Sequence, residues 1–286
     1  WSFPLLLRNT QIIHLRGLSP ETISLARIAR RMEIKSLCVP MASGAYGDVA
    51  LFPSNRRHNP RAFDRISALT EPLRNELIAW GFPAAHIDLI PNGVDTALFS
   101  CPASPAPGII FVGQFRPEKR VELLLNAFAL VQSDYPRISL TLLGGGHSFH
   151  HFQQMAVQLG VVVNFVPNTD SAGVRTHLQA NSIFVQSGIS EGMSNALLEA
   201  MAVGLAPVVS DTPANRAVIT PEIDGLCYAP DSSEALASQL IRLISDDLLR
   251  QRLGTAARQT VERRFTLDFV AAQYLALYER MLGENS

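Results

Sequence analysis

Between Gly108 and Tyr228 six short apolar runs alternate with segments of helical periodicity, and few folds accommodate that pattern. The runs are residues 108–112, 138–143, 161–166, 183–185, 206–210 and 225–228. Strands separated by helices cannot pair as hairpins, so they align in parallel, with helices covering both faces. The predicted fold class is therefore α/β, with a doubly wound parallel sheet.

A smaller α/β segment precedes it. Residues 11–15, 36–40, 65–69 and 87–90 read as strands. Ser19-Pro20-Glu21 supplies a cap, a proline at the first helical position and an acid in the first turn, and predicts a helix to about Met32. Thr70-Glu71-Pro72 starts another that ends at Gly81, and Ser43-Gly44-Ala45-Tyr46-Gly47 reads as a loop. Residues 102–108 have the composition of a linker. The expected division is 1–99, 100–266 and a final helix over 267–286. Residues 232–282 read as helical, broken only around Phe265-Thr266.

In an open α/β sheet, ligands bind at the carboxyl ends of the strands, facing helix N-termini. Three loops qualify. Residues 113–120, Gly-Gln-Phe-Arg-Pro-Glu-Lys-Arg, carry three cations just before a helix start, the wrong sign for the helix dipole unless an anion lies between them. A solvated basic loop is the competing reading, particularly for Lys119. Gly144-Gly145-Gly146 allows close backbone approach, but a tight strand-to-helix turn needs glycine too, and no dinucleotide or P-loop fingerprint surrounds it. Its structural reading is favoured.

The third loop runs from Ser190 to Asn195 and opens a helix that is apolar on nearly every side. Gly192 permits a sharp turn and Ser194 can cap the helix, leaving free N–H groups aimed at the strand ends. Glu191 precedes the helix. Glu199 lies within it among Leu197, Leu198, Ala200 and Met201, where an uncompensated ionised carboxylate costs several kcal/mol. Either an elongated ligand meets these acids or Glu199 pairs with a buried arginine.

Bulk properties narrow the classes. The formal net charge is −1 with a pI near 6.7, which gives no general attraction to nucleic acid, so any anion site is local. Cys38, Cys101 and Cys227 form no CxxC pattern, which fits a reducing compartment and no metal. No apolar run reaches the length of a membrane span. The chain has no starting Met and no basic segment ahead of its first apolar residues, so it is expected to begin inside a larger protein.

Glu191 and Glu199, set in E-G-M-S-N-A-L-L-E-A-M-A-V-G-L-A-P-V-V-S, closely resemble the E-x7-E motif of family-four glycosyltransferases of the GT-B fold. Phe111-Val112-Gly113 through Lys119, Ile90-Pro91-Asn92-Gly93-Val94-Asp95 and Asp224-Gly225-Leu226 match further landmarks in the same order, so the resemblance covers essentially the whole chain. It implies two Rossmann-like doubly wound domains, the first incomplete, with acceptor bound by the first and nucleotide-sugar donor by the second. It implies retaining, metal-independent transfer from a UDP- or GDP-linked sugar to a saccharide or lipid-linked acceptor, with no separate cofactor. Carried over residue by residue, it places Lys119 on the donor diphosphate, with Gly113 and Arg116 in the same loop. Glu199 goes to the ribose hydroxyls and Glu191 to the transferred sugar. The backbone of Gly192, Met193, Ser194 and Asn195 goes to sugar and phosphates, and Leu198 and Val166 to the nucleoside wall. The absence of any Asp-x-Asp independently disfavours the metal-dependent alternative.

The chain departs from the family at several positions. Gln114 stands where an arginine is usual, Arg120 where a glycine is, and Asp211-Thr212-Pro213-Ala214-Asn215-Arg216 where a glycine-rich turn ending in Glu is. Met41-Ala42-Ser43-Gly44 replaces a loop that often carries His. Two other functions compete: a donor-binding remnant without activity, and a nucleotide-sugar epimerase of the same fold. Localisation is expected in the cytoplasm, with the inner face of the membrane as the narrower alternative. Arg27, Arg30, Arg31, Lys35, Arg56, Arg57, Arg61 and Arg65 are candidates for a peripheral membrane contact, against the plainer reading of ordinary surface arginine.

Overall fold

A computed structural model describes residues 7, 9–41, 62–102 and 108–283. The chain divides into two units, at Asn92 and again near Leu267, each built on its own parallel sheet.

In the first unit the strands β1 (Ile12–Arg16), β2 (Lys35–Val39), β3 (Arg65–Ala68) and β4 (Ile87–Leu89) lie in the order β1-β2-β3-β4, all parallel. Helix α1 (Pro20–Arg31) connects β1 to β2, and α2 (Glu71–Ala79) connects β3 to β4. The α1 start is a capping box. Ser19 Oγ accepts from the Thr22 amide (3.3 Å) while the Ser19 amide donates to Thr22 Oγ1 (3.0 Å). Ile23, Ala26 and Ala29 form its buried face.

The second unit holds β5 (Ile109–Val112), β6 (Leu140–Leu143), β7 (Val163–Val166), β8 (Ile183–Gln186), β9 (Ala206–Ser210) and β10 (Leu226–Tyr228). Their order is β10-β9-β8-β5-β6-β7, again all parallel. The helices are α3 (Val121–Asp134), α4 (Phe149–Leu159), α5 (Ser171–Gln179), α6 (Asn195–Val203), a single turn α7 (Pro213–Arg216), α8 (Ser233–Ser245) and α9 (Asp247–Arg264). The core runs through Ile109, Leu124, Phe128, Leu140, Val185, Val208, Leu236 and Leu253, with strands apolar on both faces because helices cover both.

The last helix, α10 (Leu267–Gly283), belongs to the first unit. Its Val270, Leu277 and Met281 share a core with Leu37 and Ile90. Tyr274 Oη lies 3.2 Å from Ser67 Oγ, and Arg280 reaches Asp88 (2.9 Å).

The expectation of a single break after residue 232, around Phe265-Thr266, is corrected by a second break, at Asp246. That residue is extended (φ −126°, ψ 93°) and its Oδ1 caps α9 by accepting from the Leu249 amide (2.9 Å). The signal was Ser245-Asp246-Asp247, capping chemistry without glycine or proline. The expected loop at residues 43–47, most of the linker and Arg56, Arg57 and Arg61 lie outside the described residues. Arg65 drops out of the proposed basic face, because its guanidinium is turned onto Asp88 with two bonds of 3.0 Å.

Two sequence landmarks hold the fold. A Cβ on Gly144 would stand 1.9 Å from the Gly113 carbonyl oxygen, so glycine is required where the loops after β5 and β6 meet. Asp224 is 2% exposed; its Oδ1 accepts from the Thr220 amide (2.6 Å) and its Oδ2 from the Thr260 hydroxyl of α9 (2.8 Å). Asp224→Ala strands both donors in a dry site and is expected to cost about 2–4 kcal/mol of stability, read by denaturant unfolding. A loss below about 1 kcal/mol would contradict this role.

Candidate active site

In the second unit the chain winds outward in both directions from β5. Strands β6 and β7 lie on one side, and β8, β9 and β10 on the other. The switch point therefore falls between β5 and β8, and a crevice forms there at the carboxyl ends of the strands. The loops that leave those two strands are residues 113–120 and 187–194; the first, and the second from Ser190 on, are the two that the sequence marks on charge and chemistry.

They are bonded to each other. Ser187 Oγ donates to the Lys119 carbonyl (2.7 Å), and the Ile189 amide donates to the Glu118 carbonyl (3.0 Å). The cation loop is a short 3-10 turn, Pro117–Lys119, followed by Arg120 in the left-handed region (φ 54°, ψ 40°). That conformation accounts for the family's usual glycine. Here an arginine adopts it, anchored by an ion pair with Asp231. Below the loop, Phe115 is a buried plug. Its ring stacks on Phe149 (centroids 5.6 Å apart) and meets Phe152 edge-on (5.7 Å), and its amide donates to the Gly145 carbonyl (2.7 Å). Arg116 is 67% exposed and 4.0 Å from Glu118; Gln114 is exposed. Lys119 is half-buried.

Ser194 caps α6, its Oγ accepting from the Leu197 amide (3.3 Å). Asn195 is exposed at the helix start. Glu199, in the second turn, is half-buried, and burial pushes its carboxyl up to about 7. Among the described residues it has no hydrogen-bond or ion-pair partner, so the alternative of a buried arginine is not realised. Leu198 is 0% exposed and packs in the core. Val166 ends β7 beside the glycine turn, its carbonyl accepting from the Gly144 amide (2.9 Å).

Glu191, Gly192 and Met193 group with the first unit, where Asn92 Nδ2 donates to the Met193 carbonyl (3.1 Å). The Asn92-Gly93-Val94-Asp95 landmark is thus a positioning element: Val94 pairs with Thr266, and Asp95 Oδ1 accepts from the Ala97 (3.0 Å) and Leu98 (2.9 Å) amides. Phe115 and Asn92 lie inside stretches marked by the sequence, the 113–120 loop and the 90–95 landmark, but without roles of their own, and Ser187 carried no signal. No three His, Cys, Asp or Glu side chains among the described residues converge as metal ligands.

The family model described as "Glycosyl transferases group 1" matches residues 103–260, more than half of the chain. The chain belongs to this glycosyltransferase family. Residues 1–98 match the model described as "Glycosyltransferase Family 4". A phosphatidyl-myo-inositol mannosyltransferase of Mycobacterium tuberculosis is 30% identical over 234 residues, 78% of this chain and 61% of the relative. The chain thus spans about three fifths of that relative's length. Among solved structures, sucrose-phosphate synthase from Thermosynechococcus elongatus superposes with a TM-score of 0.84 at 21% identity, over 99% of this chain and 77% of the other. Anabaena HepE in complex with UDP-glucose gives 0.84 at 16% identity, over 96% and 80%. The fold of this family member is GT-B.

Proposed function

We propose that this chain carries the donor site of a retaining, metal-independent glycosyltransferase that moves a sugar from a UDP- or GDP-linked donor to a saccharide or lipid-linked acceptor. The observation that carries the reading is Glu199: a half-buried carboxylate with no protein partner among the described residues, on the helix that opens at the switch point. A ribose offers the two hydroxyl donors such a group lacks. Lys119 meets the diphosphate beside the backbone of Gly113, with Arg116 at the mouth. Glu191 holds hydroxyls of the transferred sugar, and the Gly192–Asn195 backbone with the α6 N-terminus contacts sugar and phosphates. Val166 and Leu198 border the nucleoside. Negative charge grows on the leaving diphosphate as the sugar becomes oxocarbenium-like, and a fixed cation and helix dipole stabilise that state more than the ground state. The phosphatidyl-myo-inositol mannosyltransferase relative favours a lipid-linked acceptor. Among the described residues no helix is long and apolar enough to cross a membrane.

The test is a thermal-shift panel of UDP, GDP and ADP and their sugar conjugates on the 286-residue chain. The matched nucleotide at ~100 times its dissociation constant is expected to add roughly 2.7 kcal/mol. No stabilisation by any of the three sinks the proposal. Transfer to a saccharide or glycolipid acceptor is then followed with and without chelator. Binding without transfer would favour a donor-binding remnant, and conversion of the nucleotide sugar without acceptor would favour an epimerase.

A further inference from the structure

Beneath the 187–190 loop lies a chain of buried, mutually bonded polar side chains. Gln186, Ser187, Ser210 and Asn215 are 4%, 1%, 0% and 2% exposed. Asn215 Nδ2 donates to the Ser210 carbonyl (2.8 Å) and lies 3.1 Å from Ser210 Oγ. Its Oδ1 accepts from Gln186 Nε2 (2.9 Å). Ser210 Oγ donates in turn to the Gly188 carbonyl. The next residue along, Ser187, holds the Lys119 carbonyl, and Ile189 holds that of Glu118.

Core packing alone does not call for this arrangement. Apolar side chains fill most of the sheet, and burying four polar ones is unfavourable unless each is satisfied. A satisfied buried network confers one geometry instead. Here every link runs toward the carboxyl ends of β8 and β9, and the network ends on the backbone of the cation loop. That loop needs holding. A lysine has four rotatable side-chain bonds, so its ammonium is well placed only if its root is fixed. The following residue, Arg120, sits in a conformation that side chains rarely adopt.

We propose that Ser210 and Asn215 are positioning residues of the diphosphate site: through Gly188 and Ser187 they fix the Lys119 backbone and so aim its ammonium. This rests on the donor-site reading above. It gives a role to the Asp211–Arg216 turn, in which the chain departs from its family's glycine-rich sequence. Asn215 there ties β8 to β9, and the Asp211–Arg216 ion pair, with bonds of 2.5 and 2.7 Å, closes the turn on the outside.

The test is a double-mutant cycle on the 286-residue chain, read by calorimetric binding of UDP, GDP and ADP and of the matching phosphate-free nucleoside. Lys119→Met is expected to weaken the nucleoside diphosphate roughly 10- to 100-fold, and Ser210→Ala about 3- to 10-fold. The double variant is expected to bind no more weakly than Lys119→Met, because a positioning group has nothing left to position. Nucleoside binding stays unchanged in all three, which a general loss of structure would not allow. If Ser210→Ala does not fold, Ser187→Ala takes its place, since it deletes only the bond to the Lys119 carbonyl. Wild-type affinity in the serine variant, losses that multiply in the double variant, or an equal loss of nucleoside binding would each overturn the inference. If Lys119→Met itself leaves diphosphate binding unchanged, the donor-site reading falls first and this inference with it.

Discussion

Glu199→Gln is expected to make the ligand-free protein more stable above pH 7 while removing most of its affinity for nucleotide sugar. The carboxyl is raised from 4.5 to about 7 by burial. Between those values the unfolded chain has released its proton and the folded chain has kept it, so stability falls as pH rises through that window. Above 7 the full cost of the buried charge is present. A shift of this size corresponds to at most ~3.5 kcal/mol, which partial exposure reduces to about 1–2 kcal/mol. Glutamine does not titrate, so the variant's melting temperature should exceed wild type by a few degrees at pH 8 and by little at pH 5. In the wild type, donor affinity should weaken as pH falls below about 7, because only the carboxylate accepts both ribose hydroxyls without giving up a proton. The variant should bind about 10- to 100-fold more weakly at neutral pH, with no such pH dependence. Melting curves from pH 5 to 9, with and without the matched nucleotide, check both halves. A stability difference that is constant with pH would show that the carboxylate is not the source.

Lys119→Ala is expected to lower kcat/KM by about 10²- to 10³-fold, equivalent to roughly 3–4 kcal/mol of transition-state stabilisation. The charge it meets is largest once the sugar–phosphate bond has begun to break, so most of the loss should appear in kcat and less in KM. Arg116→Ala should cost less than about tenfold, because that guanidinium is mostly solvated and its partner Glu118 is 4.0 Å away. Steady-state kinetics with the matched donor decide the matter. A Lys119 effect below tenfold, or an Arg116 effect that exceeds it, would move the diphosphate to a different part of the loop.

Much of the site was legible in the residues themselves. The Ser194 cap follows from a hydroxyl before an apolar helical run, and the cation loop from three positive charges at a helix start. Glu199 stood out because a carboxylate among apolar neighbours needs a reason. The buried network under the loop was not legible. Gln186, Ser187, Ser210 and Asn215 look like ordinary polar residues at strand and helix ends, and only their mutual contacts, across 29 residues for Gln186 and Asn215, give them a role. Leu198, a nucleoside-wall candidate on the family resemblance, is fully buried, a degree of burial that its place in the sequence does not give. Arg120, at the position where the family resemblance implies a glycine, takes the left-handed conformation that glycine favours, which the residue type alone does not suggest.

What the sequence determined by itself was the class of sheet and the end of it that matters. Alternating strand and helix periodicities force parallel pairing, and parallel pairing places every strand-to-helix loop at one edge. Periodicity is local, however, and does not say which strands become neighbours. Only the tertiary structure decided that β8 lies against β5 rather than β7, and so that the loops carrying Lys119 and Ser187, 68 residues apart, are joined by a hydrogen bond. Strand order depends on how distant apolar faces are buried together, which no window of sequence contains.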